Sequence, residues 1–384
     1  MIHASGAAAK LQAAGGVRSL TFDAAQPLQL SNGENLAPLT LAFETYGALN
    51  VDRSNAVLVC HGLIGDQFVA GPNPVTGRPA WWPRIVGPGR PIDTNRFFVI
   101  CSNVLGGSMG STGPASPAAD GQPFGLRFPQ ISIADIVRAQ SMLVEALGIQ
   151  NLFLVIGPEF GGMQALHWAS AYPRRVFACG VVASAARQSA QNLAFAELAR
   201  QAIMADADWR NGGYYAHGVR PARGAAIARA ALSIASDAAS EVRHRFETAS
   251  AKERFSFAQS NEEARAGASH VERLDANSFL YLSRAMDGFD LAADFGGRLS
   301  NAFQDSQTRH GLFAFTSDWR YPPQETRSIA RALIAAGAET ASVEIPSAKG
   351  HEAYLADEPA FEAALTGFID AAASARGLAL QGGQ

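Results

Sequence analysis

The sequence has no long uninterrupted apolar run, no block of basic residues and only three cysteines. Its longest apolar segments, near residues 152–156 and 177–186, are well short of the roughly 20 residues that a membrane-spanning helix requires. The formal net charge is −3 at pH 7, and no cluster of Lys and Arg offers a surface for phosphates or anionic lipids. We therefore expect neither a membrane segment nor a nucleic-acid partner.

The cysteines and the N-terminus carry no signal for export or for a metal site. Cys60, Cys101 and Cys179 are widely spaced and form neither a CxxC pair nor a set of metal ligands. The Ala-rich residues 1–16 lack the continuous Leu/Val/Ile run of a secretory signal. These features predict reduced thiols, no bound metal and a cytoplasmic location.

The apolar fraction is 48 % over 384 residues, which is enough for a large buried core. Most of the chain alternates short apolar segments with amphipathic ones, a rhythm typical of a parallel sheet flanked by helices. The pattern predicts strands at 39–46, 56–60, 97–101, 152–156, 176–183, 311–316 and 341–345, and helices at 133–147, 161–171, 325–336 and 358–373.

The middle of the chain lacks this alternation. From residue 189 to residue 298 the sequence is rich in Ala, Arg and Glu and favours helix throughout. We therefore predict an α/β core formed by residues 1–184 and 299–384, with a helical lid at 185–298.

The third apolar strand ends in a motif that carries chemistry. Gly157 and Gly161 flank Glu159 in a G-x-E-x-G sequence between a strand and a helix. This arrangement is typical of a nucleophile elbow, in which a strained residue projects above the sheet and small residues let strand and helix approach closely. The usual residue at the apex is serine, and here it is glutamate.

Two later strands each end in a residue that completes a triad. Asp318 follows one strand and His351 follows the next, so the chain order is Glu159, acid, base, as in α/β-hydrolases. The Leu63 and Phe160 N–H groups lie where an oxyanion hole is expected. A lone G-x-E-x-G, Asp or His is usually structural, but all of these elements follow strands in the expected order. The glycine-rich residues 106–113 lack the lysine of a phosphate-binding loop.

Several longer segments together resemble the homoserine O-acetyltransferase family of α/β-hydrolases. They are LAFETYGALN (41–50), HGLIGD (61–66), NVLGGSMGSTGPAS (103–116), GGMQALHWA (161–169), SDWRYPPQ (317–324) and GHEAYL (350–355). The resemblance implies an α/β-hydrolase fold with a helical lid and a homodimer formed through that lid. It also implies acyl transfer to a small hydroxy amino acid through an acyl-serine, with acetyl-CoA or another acyl-CoA as co-substrate and no bound cofactor.

The resemblance also assigns substrate-binding residues and shows where this chain differs. Arg187 and Arg200 would hold a substrate carboxylate, and Glu352, where the family has Asp after the histidine, would hold the substrate amine. The family's elbow reads GGSMGG, so Glu159 stands in place of the nucleophilic serine.

A glutamate at the elbow leaves several mechanisms open. An ionised carboxylate needs no activation to attack an sp³ carbon, and His351 held by Asp318 would then activate water to release the ester. Alternatively, Glu159 or His351 is a general base, with direct attack of the acceptor on acyl-CoA. A third hypothesis is a non-catalytic binding protein with a filled pocket and a static ion pair between Glu159 and His351. We predict an enzyme of the acyltransferase/hydrolase class with a Glu159–His351–Asp318 triad.

Overall fold

The computed structural model describes residues 9–14, 16–237 and 275–378. Their centre is a nine-stranded sheet with the order β1-β2-β5-β9-β6-β10-β11-β12-β13. β1, β2, β5 and β9 pair antiparallel, and every pairing from β9 through β6 to β13 is parallel. The strands are β1 (Ala9–Ala14), β2 (Val17–Phe22), β3 (Leu28–Gln29), β4 (Asn35–Leu36), β5 (Leu39–Tyr46), β6 (Ala56–Val59), β7 (Val86–Gly87), β8 (Ile92–Asp93), β9 (Phe98–Ser102), β10 (Leu152–Pro158), β11 (Val176–Val182), β12 (Arg309–Phe315) and β13 (Thr340–Ile345). β3 with β4, and β7 with β8, form two small separate sheets.

Helices cover both faces of the large sheet. Successive residues of β6 belong to different hydrophobic clusters, Leu58 to one and Val57 and Val59 to the other, so the strand is buried on both sides. This burial explains why the parallel strands are continuous apolar runs in the sequence. The helices are α1 (Ile133–Ala146), α2 (Phe160–Ala171), α3 (Ala190–Met204), α4 (Ala222–Ser236), α5 (Ala276–Asp287), α6 (Leu291–Asp294), α7 (Pro323–Ala335) and α8 (Pro359–Arg376).

The predicted α/β order is confirmed, with strand and helix ends within about three residues of their expected positions. The fold class is that of an α/β-hydrolase. The strands β1 and β2 were not predicted from the sequence. β2 alternates buried and half-exposed positions at the antiparallel side of the sheet, and such a short half-polar segment gives a weak pattern.

Between β11 and β12 the described residues form helices joined by turns and loops, with no strand apart from one isolated bridge between Arg187 and Asp290. Residues 238–274 of the predicted lid lie outside the described residues, as does the tail beyond residue 378. Among the residues described, no helix has the length and apolar character needed to cross a bilayer.

The parallel strands position the candidate site. β10, β12 and β13 run in the same direction, so their carboxyl ends meet at one edge of the sheet. Glu159, Asp318 and His351 all follow these ends, in the region where open α/β sheets place their ligands.

Candidate active site

Glu159 lies at the apex of the turn between β10 and α2, as predicted. Its backbone has φ 52° and ψ −117°, a conformation that L-residues rarely adopt. Two hydrogen bonds hold this conformation: the Glu159 N–H donates to Val182 O at 3.0 Å, and the Ser184 hydroxyl donates to Glu159 O at 2.6 Å. The strain is therefore stabilised by the neighbouring strand β11 and the residues that follow it.

The two glycines of the elbow are required by close packing. A Cβ atom on Gly157 would lie 2.5 Å from the Cys60 carbonyl oxygen, and one on Gly161 would lie 2.0 Å from the same atom. Real Cβ atoms do not approach backbone this closely. The G-x-E-x-G spacing thus reflects the contact between α2 and the end of β6.

Asp318 and His351 are brought together as the sequence predicts. His351 Nδ1 lies 2.8 Å from Asp318 Oδ2, and both residues are buried. The other oxygen, Asp318 Oδ1, accepts the N–H groups of Arg320 and Tyr321, each at 2.9 Å. The contact between Asp318 Oδ2 and His351 Nδ1 holds the imidazole with Nδ1 towards the carboxylate and leaves Nε2 for other partners.

The Glu159 carboxylate is engaged by two groups that do not include His351. Its Oε2 accepts the Leu63 N–H at 3.1 Å, and its Oε1 lies 2.6 Å from Arg320 Nη2. Both side chains of this ion pair are buried, with 4 % of Glu159 and 11 % of Arg320 exposed. The elbow carboxylate therefore occupies one predicted oxyanion-hole donor itself.

The ion pair between Glu159 and His351 that the hypothesis of a non-catalytic binding protein included is not formed among the described residues. Within the part of the chain that the structure describes, no such contact lies within 4.0 Å, and His351 Nε2 is buried without a hydrogen-bond partner. Arg320 is the physical reason, because a buried carboxylate is held most strongly by a charged donor. Phe160 is buried at the start of α2, and no hydrogen bond from it to Glu159 is present among these residues.

The charges of the site shift the pKa values of several groups. Burial by itself would lower the pKa of Arg320, but the adjacent Glu159 carboxylate raises it above its usual value. Burial likewise opposes ionisation of Asp318, yet His351 and the backbone donors hold the pKa of that carboxyl below its usual value. Burial, followed by the charge of Glu159, raises the pKa of Tyr354. The site thus favours a charged Asp318 and a charged Arg320.

The three predicted substrate-binding residues have different environments in the structure. Arg200 is buried, but its Nη2 pairs with Asp287 at 2.7 Å and with Glu197 at 2.9 Å. Arg187 and Glu352 are exposed. Within the described ranges, neither arginine is joined to the Glu159 carboxylate by a hydrogen bond or ion pair.

Sequence reasoning missed Arg320 as a site residue. It lies two positions after Asp318 in the turn that follows β12. A signal was present, because a buried carboxylate at the elbow needs a cation or several donors, and Arg320 is next to the triad acid. No group of three or more metal-ligating side chains is arranged for a metal ion in the described ranges.

The positions of His351, Leu63 and Glu159 determine which reactions this site can support. His351 has a fixed ring, and its Nε2 has no partner in the part of the chain that the structure describes, as a general base requires. An oxyanion hole must offer donors to the oxygen of the substrate, but Leu63 donates to Glu159. The geometry therefore supports proton transfer at His351 and opposes a covalent acyl intermediate at the elbow.

Comparisons with known proteins agree with the fold. A family model described as the alpha/beta hydrolase fold matches residues 55–357. The homoserine O-acetyltransferase of Mesorhizobium japonicum is 53 % identical over 367 residues, which cover 94 % of each chain. The enzyme of the same name from Caulobacter vibrioides is 52 % identical over 93 % of this chain and 96 % of its own.

Solved structures show the same similarity. The homoserine O-acetyltransferase from Bacillus anthracis superimposes with a TM-score of 0.82 at 26 % identity, covering 95 % of this chain and 98 % of that one. Esterase E22 superimposes with a TM-score of 0.81 at 27 % identity, covering 92 % of this chain and all of that one. Proteins named as acyltransferases and as esterases therefore share this architecture.

Proposed function

Because the chain belongs to the homoserine O-acetyltransferase family of the α/β-hydrolase fold, we propose that it binds a small polar, amino-acid-like molecule without forming an acyl-enzyme at its elbow. The observation that carries this proposal is the position of the Glu159 carboxylate, which accepts the Leu63 N–H and pairs with Arg320. We place the ligand at the cavity above the elbow, which is lined by Leu63 and Arg320 and by residues of the helical segment between β11 and β12.

A thioester substrate would find neither a nucleophile nor a complete oxyanion hole. Glu159 Oε1 is engaged by Arg320 at 2.6 Å, and the Leu63 N–H is engaged by Oε2. Attack of a carboxylate on a thioester would also produce a mixed anhydride, which is too reactive to store an acyl group. The same ion pair opposes attack of Glu159 on an sp³ carbon.

A second candidate function is general-base catalysis by His351, and it is favoured by the unpartnered, buried Nε2. In this reaction the acceptor hydroxyl gives its proton to Nε2 while its oxygen attacks the carbonyl of acetyl-CoA or another acyl-CoA. The thiolate then leaves and takes the proton from the imidazolium. No covalent bond to the protein forms, and Glu159 remains paired with Arg320.

Two measurements separate these functions. Calorimetric titration with L-homoserine is expected to show binding, and intact-mass spectrometry after incubation with acetyl-CoA is expected to show no acetylated protein. An acetyl group on the wild-type protein would overturn the proposal. Release of free CoA that depends on homoserine, without acetylated protein, would favour the second candidate, provided that His351→Ala abolishes it.

A paired substitution tests whether the ion pair is the cause. In Glu159→Ser with Arg320→Met, the elbow carries the serine hydroxyl of the family's GGSMGG motif, and the Leu63 N–H becomes available to a substrate oxygen. We expect this variant to gain an acetyl adduct from an activated acetyl ester, and His351→Ala in the same background to lose it. Absence of the adduct from a folded double variant would contradict the role that we assign to Arg320.

The division into core and lid, the homodimer and the cytoplasmic location belong to the same proposal. Support for a dimer through the lid comes from apolar side chains exposed on its helices. They are Leu193 and Leu198 on α3, and Ile227 and Ile234 on α4, with exposed fractions of 37 %, 54 %, 51 % and 38 %. An exposed apolar set on one segment favours a protein interface.

A further inference from the structure

The turn formed by residues 317–321, after β12, is hydrogen-bonded to two helices of the segment between β11 and β12. Asn192 Nδ2 on α3 donates to Arg320 O at 2.9 Å. The indole Nε1 of Trp319 donates to Asp237 O at 2.6 Å, directly after the end of α4. The turn is therefore attached to α3 and α4 as well as to the sheet.

Asn192 holds two consecutive residues of this turn. It is 6 % exposed, and because Arg320 O can only accept a hydrogen bond, the atom that faces it is the amide nitrogen. The same nitrogen donates to Gln188 Oε1 at 3.0 Å, and that oxygen also accepts the Tyr321 hydroxyl at 3.3 Å. Asn192 thus contacts Arg320 directly and Tyr321 through Gln188.

The peptide group that Asn192 binds also donates to Asp318. A peptide group is planar, and the C=O of Arg320 lies in the same peptide group as the N–H of Tyr321. That N–H donates to Asp318 Oδ1 at 2.9 Å. A hydrogen bond at one end of a peptide group fixes its plane and, by polarising it, strengthens the bond at the other end. Asn192 therefore acts on the Asp318 carboxylate through a single peptide group.

The preceding peptide group repeats this arrangement. Trp319 O accepts Gln191 Nε2 at 3.4 Å, and the Arg320 N–H of the same peptide group donates to Asp318 Oδ1 at 2.9 Å. The Gln191 contact is long for an N–H···O bond, so it is the weaker of the two contacts from α3. Consecutive residues of α3 thus supply one amide to each of the peptide groups that hold Asp318 Oδ1.

The position of Asp318 in turn determines the position of His351. Asp318 is 2 % exposed, and its Oδ2 lies 2.8 Å from His351 Nδ1. An ionised carboxylate can only accept, so Nδ1 carries the proton of this hydrogen bond. The Tyr321 ring also packs against the imidazole, with 5.2 Å between the ring centroids. A rotation of the turn would therefore change the environment of the imidazole.

We propose that Asn192 is a positioning residue, which holds Asp318 against His351 through one peptide group of the turn. Gln191 assists through the preceding peptide group. This inference rests on the proposed function only for the importance of His351, since its test measures the hydrogen bond itself and uses no ligand. It gives α3 a role in the geometry of the site in addition to lining the cavity.

The test is proton NMR of the full-length protein. The Nδ1–H of His351, which is shared with a buried carboxylate, should give a resonance downfield of the amide region that His351→Ala removes. In Asn192→Leu we expect this resonance to move upfield and its proton to exchange with solvent roughly tenfold faster, because Asp318 is held less firmly. Gln191→Leu should cause a smaller change in the same direction. An unchanged resonance in a folded Asn192→Leu variant would overturn the inference.

Tyr281→Phe is the matched control. Tyr281 is buried on α5, and its hydroxyl lies 3.0 Å from Leu126 O and 2.6 Å from Phe128 O, which are outside the turn. The control removes hydrogen bonds between the helical segment and the core and should lower the melting temperature. It should leave the His351 resonance in place. An equal shift of that resonance in Tyr281→Phe would overturn the inference, because the resonance would then report general loosening of the helices.

A double-mutant cycle asks the same question by urea denaturation. If Asn192 acts on Asp318, Asn192→Leu should change the unfolding equilibrium constant about fivefold less in an Asp318→Ala background than in the wild type. Tyr281→Phe should be additive with Asp318→Ala. Additive losses for Asn192→Leu would overturn the inference even where the resonance is too broad to observe. Failure of L-homoserine to bind would instead overturn the proposed function and leave the role of Asn192 intact.

Discussion

Glu159 and Arg320 form a buried ion pair, with 2.6 Å between Oε1 and Nη2, at the apex of the elbow. A buried pair gains from its mutual attraction but loses the hydration of both charges, so its net contribution to stability is small. Removal of a single partner is different, because it leaves the other charge buried without compensation.

This difference predicts the outcome of a double-mutant cycle. Glu159→Gln and Arg320→Met should each lower the free energy of unfolding by about 3–5 kcal/mol, whereas the double variant should lose much less than the sum. Equilibrium denaturation in urea measures all four proteins. Additive losses would show that the two side chains do not interact.

The close packing of the elbow predicts different effects for two helical glycines. Gly161→Ala places a Cβ 2.0 Å from the Cys60 carbonyl oxygen, so we expect a loss of about 3 kcal/mol or more, or no folded protein. Gly367→Ala in α8 meets nothing within 4 Å and is the matched control. There alanine should stabilise the helix by up to about 1 kcal/mol. Thermal melts of both variants test the comparison, and similar melting temperatures would contradict it.

A buried histidine outside the site predicts acid sensitivity. Burial lowers the pKa of His310 from 6.5 to about 4, and neither ring nitrogen has a partner in the described residues. Between these pH values the unfolded chain binds a proton that the folded chain does not. The contribution of neutral His310 is therefore complete above pH 6.5 and decreases as the pH falls towards 4, by on the order of 3 kcal/mol.

His310→Leu removes this proton linkage. The variant should lose less stability than the wild-type protein between pH 6.5 and pH 4, as measured by urea denaturation at each pH. His217 is exposed, and His217→Leu is the control that should keep the wild-type dependence. Parallel acid profiles for wild type and His310→Leu would contradict the prediction.

The proposed dimer can be tested on its exposed apolar residues. Leu198→Glu combined with Ile227→Glu places two charges on the helical segment, and light scattering after size exclusion should show a shift from dimer to monomer. Ile334 is 66 % exposed on α7, outside that segment, so Ile334→Glu should leave the mass unchanged. A monomeric wild-type protein would refute the dimer directly.

The sequence was most informative where burial is complete. Parallel strands such as β10, with every residue buried, are continuous apolar runs, so their positions along the chain and the placement of Asp318 beside His351 could be predicted. Arg320 could not be predicted as the partner of Glu159, because an arginine side chain is long and the sequence does not show its direction. The pairing of Arg200 with Asp287 was missed for the same reason.

The turn after β12 presents Asp318 and Arg320 from positions two apart, and the Arg320 N–H donates to Asp318 Oδ1. One stretch of backbone thus sets the direction of two side chains with different targets, His351 and Glu159. Lengthening this turn by a single residue would misalign the Asp318 and Arg320 side chains. Redesign of this pocket therefore has to replace the whole turn at once.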